Sequence, residues 1–128
     1  EYEIPFLLSN PSIKISLNSS LNVLLFAGIG NPEMLKSYVQ SKVKSLKWLG
    51  FPDHHWYSDR DIFKIEADSK EDDIKRIILT TERDAIRFYE YMPLIKKEGI
   101  EIYVLPMKMQ FLANDGILFD KLLKESIA

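Results

Sequence analysis

Val23-Leu24-Leu25-Phe26-Ala27 is an unbroken apolar run that stops at Gly28-Ile29-Gly30. A strand built from it has no polar face and must be covered on both sides. So short a run, bounded by a glycine turn, suits a strand rather than a helix. Helix chemistry follows: Asn31 can cap an N-terminus and Pro32 suits the first helical position. Leu35, Val39, Val43 and Leu46 then repeat at helical spacing. A doubly covered strand leading into a helix is half of a βαβ unit, which directs the chain toward a largely parallel sheet.

The alternation continues. Residues 47–51 read as a second strand. Ser58-x-x-Asp61 resembles a capping box that opens a short helix through Ile62, Phe63 and Ile65. Residues 74–79 read as a third strand. Thr81-x-x-Asp84 is again box-like and leads into Ala85, Ile86, Phe88 and Tyr89, with Pro93 ending or interrupting that helix. Gly99 precedes a fourth strand over 100–105, 107–111 is a candidate fifth, and 115–123 is a terminal helix. Ahead of all this, Ile13, Ile15 and Leu17 alternate with Lys14, Ser16 and Asn18, after turn chemistry at Ser9-Asn10-Pro11. The expected fold class is α/β: a three-layer Rossmann-like domain with a largely parallel sheet of four to five strands and a short N-terminal hairpin-like segment. Residues 1–19 form that leading linker and residues 20–128 the domain. Strand order is not determined by these patterns.

The 128 residues suit one domain, and 46% hydrophobic content supplies a core. Seventeen basic against nineteen acidic residues give a net charge of −2, which argues against a dedicated nucleic-acid binder. The absence of cysteine excludes disulfides and thiolate metal sites. No apolar run is long enough to span a bilayer. Glu1-Tyr2-Glu3-Ile4 lacks an initiator Met and a basic leader, so the chain is expected to be an excised domain of a longer protein.

Three polar clusters each follow an expected strand: Gly28–Pro32, Pro52–Tyr57 and Thr80–Asp84. In an open parallel sheet such positions share the carboxyl edge, where ligands bind. Gly28-x-Gly30 invites a phosphate-binding reading, but the dinucleotide fingerprint needs a glycine where Glu33 stands. The alternative is a tight turn that needs positive φ. Asp53-His54-His55 holds both histidines of the chain. Adjacent residues project differently, and no cysteine or third histidine is available, so no metal site is expected here. The letters also match the Asp-His-His signature of a metal-dependent phosphoesterase family, yet no aspartate follows the first strand to help hold two metals. A solvated loop, with Asp53 capping a turn, is the plain alternative, although an aspartate beside a histidine can also orient or tune the imidazole. Thr81 and Asp84 suffice as helix caps. Arg83 opposes the macrodipole in a first turn, which points to an anionic partner or to an exposed side chain. The aromatics read mostly as core, although Trp56 and Tyr57 beside the histidine loop are able to contact a ligand, and Lys36, Lys44 and Lys47 read as a solvated helix edge. No P-loop, nucleophile elbow or kinase catalytic loop is present.

Taken together, Phe26-Ala27-Gly28-Ile29-Gly30-Asn31-Pro32, Phe51-Pro52-Asp53-His54-His55 with Tyr57-Ser58, Leu79-Thr80-Thr81-Glu82-Arg83-Asp84-Ala85 and Val104-Leu105-Pro106 resemble the C-terminal half of the tetraacyldisaccharide 4'-kinases, the lipid A 4'-kinases. The likeness covers roughly residues 20–112, with Arg83 where that family usually has Lys. It implies an enzyme on the cytoplasmic face of the bacterial inner membrane that phosphorylates the 4'-hydroxyl of a tetraacyldisaccharide 1-phosphate lipid A precursor, using ATP and Mg²⁺. It also implies a partner within the same protein: an N-terminal P-loop domain that binds the nucleotide and magnesium. His54 would carry the motif histidine, acting with an aspartate of that other domain that takes the sugar proton. Asp53 would support it, and His55 is less constrained. Gly30, Thr81 and Arg83 are candidate edge-loop contacts to the cofactor. The rival reading is a non-catalytic Rossmann-like binding or interaction module.

Overall fold

The computed structural model describes residues 4–106. Six strands form one sheet in the order β2-β1-β6-β5-β3-β4. They are β1 (Phe6–Leu7), β2 (Asn10–Lys14), β3 (Asn22–Ala27), β4 (Ser45–Gly50), β5 (Ile77–Thr81) and β6 (Ile102–Leu105). β3 to β6 run parallel, with Ala27 opposite Gly50, Leu25 opposite Leu79 and Thr81 opposite Leu105. β1 and β2 form an antiparallel hairpin, and β1 pairs antiparallel with β6. The helices are α1 (Glu33–Lys42), α2 (Asp59–Ser69), α3 (Glu82–Ile86) and α4 (Met92–Glu98).

β3 is the reason for three layers. Val23, Leu24, Leu25, Phe26 and Ala27 are all fully buried. Successive side chains alternate between faces. Val23, Leu25 and Ala27 therefore pack with Leu35 and Val39 of α1, while Leu24 and Phe26 pack with Ile62 and Ile65 of α2, Ala85 of α3 and Ile95 of α4. The chain steps from β3 to β4 in one direction, then returns past β3 to reach β5 and β6. α1 and the later helices accordingly cover opposite faces. The gap between the carboxyl ends of β3 and β5 is thus a topological switch point, the place where open α/β sheets bind ligands.

The α/β, largely parallel, Rossmann-like architecture with a leading hairpin matches expectation, and the hairpin extends the sheet. Its second strand, however, takes in Asn10 and Pro11, expected as turn, and ends at Lys14, before Ile15 and Leu17. Several boundaries differ. Pro32, not Asn31, is the N-cap of α1, and no side chain caps it. Val43 and Leu46 are not on α1: Val43 is its extended C-cap and Leu46 lies in β4. Both still pack in the α1 layer, so the apolar spacing outruns the helix. β5 starts at Ile77 because Asp72 and Asp73 adopt left-handed backbone in a 3-10 turn before it. Pro93 interrupts: α3 stops at Ile86, a 3-10 turn spans Tyr89–Tyr91, and Pro93 lies in the first turn of α4. Gly99 ends α4 at φ 65°, with the Ile100 N–H donating to Ile95 O at 3.0 Å, which delays β6 to Ile102. Lys47 belongs to β4 and pairs with Glu71 at 2.5 Å, so it is no part of a helix edge. The candidate strand at 107–111 and helix at 115–123 lie outside the described residues.

Candidate active site at the carboxyl edge

The loops after β3, β4 and β5 meet at the switch point, and Asp84 joins them. This residue is 1% exposed. Its Oδ1 accepts the Gly28 N–H at 2.9 Å and the Tyr57 hydroxyl at 2.7 Å. Its Oδ2 accepts the Thr81 hydroxyl at 2.5 Å. Thr81 in turn caps α3 by accepting the Asp84 N–H at 3.2 Å. The helix cap expected from the sequence exists, but Asp84 does more: one carboxylate ties together residues 28, 57 and 81. Burial, and after it the Asp84 charge, push the Tyr57 phenol far above its ordinary range, so its hydroxyl remains a donor. Thr80 adds a second link, donating to Phe26 O at 2.9 Å.

Gly28 is required here by contact rather than by positive φ, which among the described glycines only Gly99 adopts. A Cβ on Gly28 would lie 2.6 Å from the Pro52 carbonyl oxygen and 3.3 Å from His55 Cβ. The expected turn requiring positive φ is therefore replaced by a close approach of two loops. Gly28→Ala is expected to cost about 1–3 kcal/mol, because the obstacle is backbone and cannot swing away. An unchanged urea midpoint would show that the two loops separate freely.

The Pro52–Tyr57 loop rests on an aromatic floor. Phe51 stacks on His55 with centroids 4.8 Å apart, and Tyr57 stacks on Phe88 at 4.4 Å. Phe26 meets both Tyr57 and Phe88 edge-on. Tyr57 is consequently core rather than a ligand contact, whereas Trp56 is 78% exposed. The two histidines differ sharply. His55 Nε2 donates to Asp61 Oδ2 at 2.8 Å. That same oxygen accepts the Ser58 N–H in the capping box of α2. His55 thus fastens its loop to a helix end. His54 is the exposed one, held at φ 60° with its N–H on Gly28 O at 3.2 Å. A non-glycine residue in left-handed backbone stores strain, a common feature of working sites. Asp53 Oδ2 lies 3.7 Å from His54 Nε2, too far for a hydrogen bond.

Gly30 faces the same loop, since a Cβ there would lie 3.1 Å from Asp53 Oδ2. Arg83 is half-buried and reaches neither histidine among the described contacts. The cation that does is Arg87, whose Nη2 lies 3.1 Å from His54 Nδ1. Sequence reasoning passed over Arg87, and only its position one helical turn beyond Arg83 hints at it. The sequence marks Asp61 as a cap but gives no sign of its bond to His55. Two features of the loop after β3 disfavour a phosphate there: the Gly28 N–H is already given to Asp84, and Glu33 opens α1. Among the described residues, no group of three or more His, Asp or Glu side chains is arranged to hold a metal ion. None of the described helices is long and apolar enough to cross a membrane.

A family model of tetraacyldisaccharide-1-P 4'-kinases matches residues 8–127. Among curated relatives, the tetraacyldisaccharide 4'-kinase of Bacteroides fragilis is 34% identical over 109 residues, covering 83% of this chain and 28% of that protein. That of Flavobacterium psychrophilum is 31% identical, covering 94% and 32%. That of Gluconobacter oxydans is 33% identical, covering 72% and 28%. The chain therefore spans about a third or less of the relatives it matches. No solved structure matches it. The three loops joined by Asp84 are the segments whose motifs resemble these kinases, and the chain belongs to the tetraacyldisaccharide-1-P 4'-kinase family.

Proposed function

We propose that this chain is the smaller, site-closing part of a lipid A 4'-kinase. The complete protein would transfer the γ-phosphate of ATP to the 4'-hydroxyl of a tetraacyldisaccharide 1-phosphate at the cytoplasmic face of the inner membrane. The observation that carries the reading is His54. It is the exposed histidine of the two, held in strained backbone at the switch point of a family member. ATP and Mg²⁺ are assigned to another part of the protein, because this chain carries no P-loop motif.

Phosphoryl transfer is chiefly positioning and electrostatic stabilisation, with a group to receive the hydroxyl proton. His54 is assigned to that proton transfer, through an aspartate on the P-loop domain. Asp53 supports it from the same loop. Thr81, with Asp84, fixes the edge on which the histidine stands. A histidine delivered by domain closure completes the site only when substrate is bound.

The test compares the complete protein with the isolated chain, using labelled ATP and the tetraacyldisaccharide acceptor. Turnover is expected from the complete protein and none from this chain. Phosphorylation by the isolated chain, free of contaminating kinase, would overturn the two-part assignment.

A further inference from the structure

We infer that Arg87 is a positioning residue for His54, holding Nδ1 as a hydrogen-bond acceptor and leaving the hydrogen of the neutral imidazole on Nε2. The catalytic consequence rests on the kinase reading above, but the geometry does not.

A guanidinium has five N–H donors and no acceptor. Arg87 Nη2 is 3.1 Å from His54 Nδ1, so the arginine donates and the imidazole nitrogen accepts. A hydrogen on Nδ1 would point at the guanidinium's own hydrogens. The second arm, Nη1, donates to the His55 carbonyl oxygen at 3.4 Å. One planar fork therefore grips the ring of His54 and the backbone after it. Its root is fixed as well: Arg87 is the C-cap of α3, and its N–H donates to Asp84 O at 3.0 Å. The ring is thereby referenced to the buried carboxylate that joins the three loops. Asp53 lies too far from Nε2 to take up its hydrogen, at 3.7 Å.

Which nitrogen carries the hydrogen decides what a histidine can do. With Nε2–H outward, His54 is a donor. It can hold and orient a carboxylate that takes the sugar proton, and it does not take that proton itself. Arg87 thus sets the role of the histidine without touching substrate.

Two measurements test this. Long-range ¹H–¹⁵N NMR of the chain at alkaline pH, where imidazoles are neutral, reports the tautomer, with the His54 signals assigned by their loss in His54→Gln. The expected result is a single Nε2–H form in the wild type and a tautomer mixture in Arg87→Met. A protonated Nδ1, or an identical spectrum in Arg87→Met, would overturn the inference. In the complete kinase, Arg87→Met should lower kcat on the order of 10- to 100-fold with KM for ATP unchanged. It should add no further loss in a His54→Ala background. An equal loss in both backgrounds would mean that Arg87 acts apart from His54, and the inference fails. If His54→Ala itself keeps normal kcat, the kinase role of His54 falls, while the NMR result still decides whether Arg87 sets the tautomer.

Discussion

Asp84→Ala is expected to lower the free energy of unfolding by about 3–5 kcal/mol. The carboxylate accepts from the Gly28 N–H and from the Tyr57 and Thr81 hydroxyls, and it is 1% exposed. Removing it strands donors that water reaches poorly, at roughly 1–3 kcal/mol for each group left unpaired. The losses do not add fully, because the three donors share one carboxylate and the loops relax together once it is gone. Asp84→Asn should cost less. Its carbonyl oxygen still accepts from Gly28 and Tyr57, and its amide can donate to the Thr81 oxygen. Urea unfolding of the three proteins orders them as wild type, Asn, then Ala. A loss below about 1 kcal/mol for Asp84→Ala would show that the loops after β3, β4 and β5 are held by packing alone.

Much of this arrangement was legible because its signals are local. The five apolar residues of β3 required cover on two faces, and they have it. Ser58 and Thr81 cap α2 and α3 as their spacing with Asp61 and Asp84 implied. The convergence of three loops also followed, since parallel strands deliver their ends to one edge. What escaped depends on distance in sequence. Asp84 and Gly28 are 56 residues apart, and nothing in either segment announces a bond between them. The same holds for Arg87 and His54, separated by 33 residues. Gly28 suggested a positive-φ turn because that is what sequence can recognise, whereas a carbonyl approaching from another loop leaves no local trace. Helical periodicity misled at Val43 and Leu46 for a related reason. A strand residue packing into the layer beneath a helix can continue the apolar spacing of that helix.

His54→Ala in the complete kinase is expected to lower kcat on the order of 10²–10⁴-fold, the usual range for losing an acid–base contributor. KM for ATP should hardly move, because this chain carries no P-loop motif and nucleotide binding is assigned to the other part of the protein. A loss confined to kcat marks an interaction made mainly in the transition state. His55→Ala is expected to behave differently. Its imidazole donates to Asp61 and stacks on Phe51, so the variant should lose stability first and activity only as the loop loosens. Asp53→Asn should fall between, since its carboxylate stands near His54 without bonding to it. Steady-state kinetics, with urea unfolding of each variant, separates these roles. Near-normal kcat for His54→Ala beside an inactive but folded His55→Ala would transfer the catalytic role to His55. Near-normal kcat for both would leave the loop structural. Of the two rings, His55 is bonded to the end of α2 and stacked on Phe51, whereas His54 stands exposed with no hydrogen bond to its Nε2 among the described residues, as its proposed role requires.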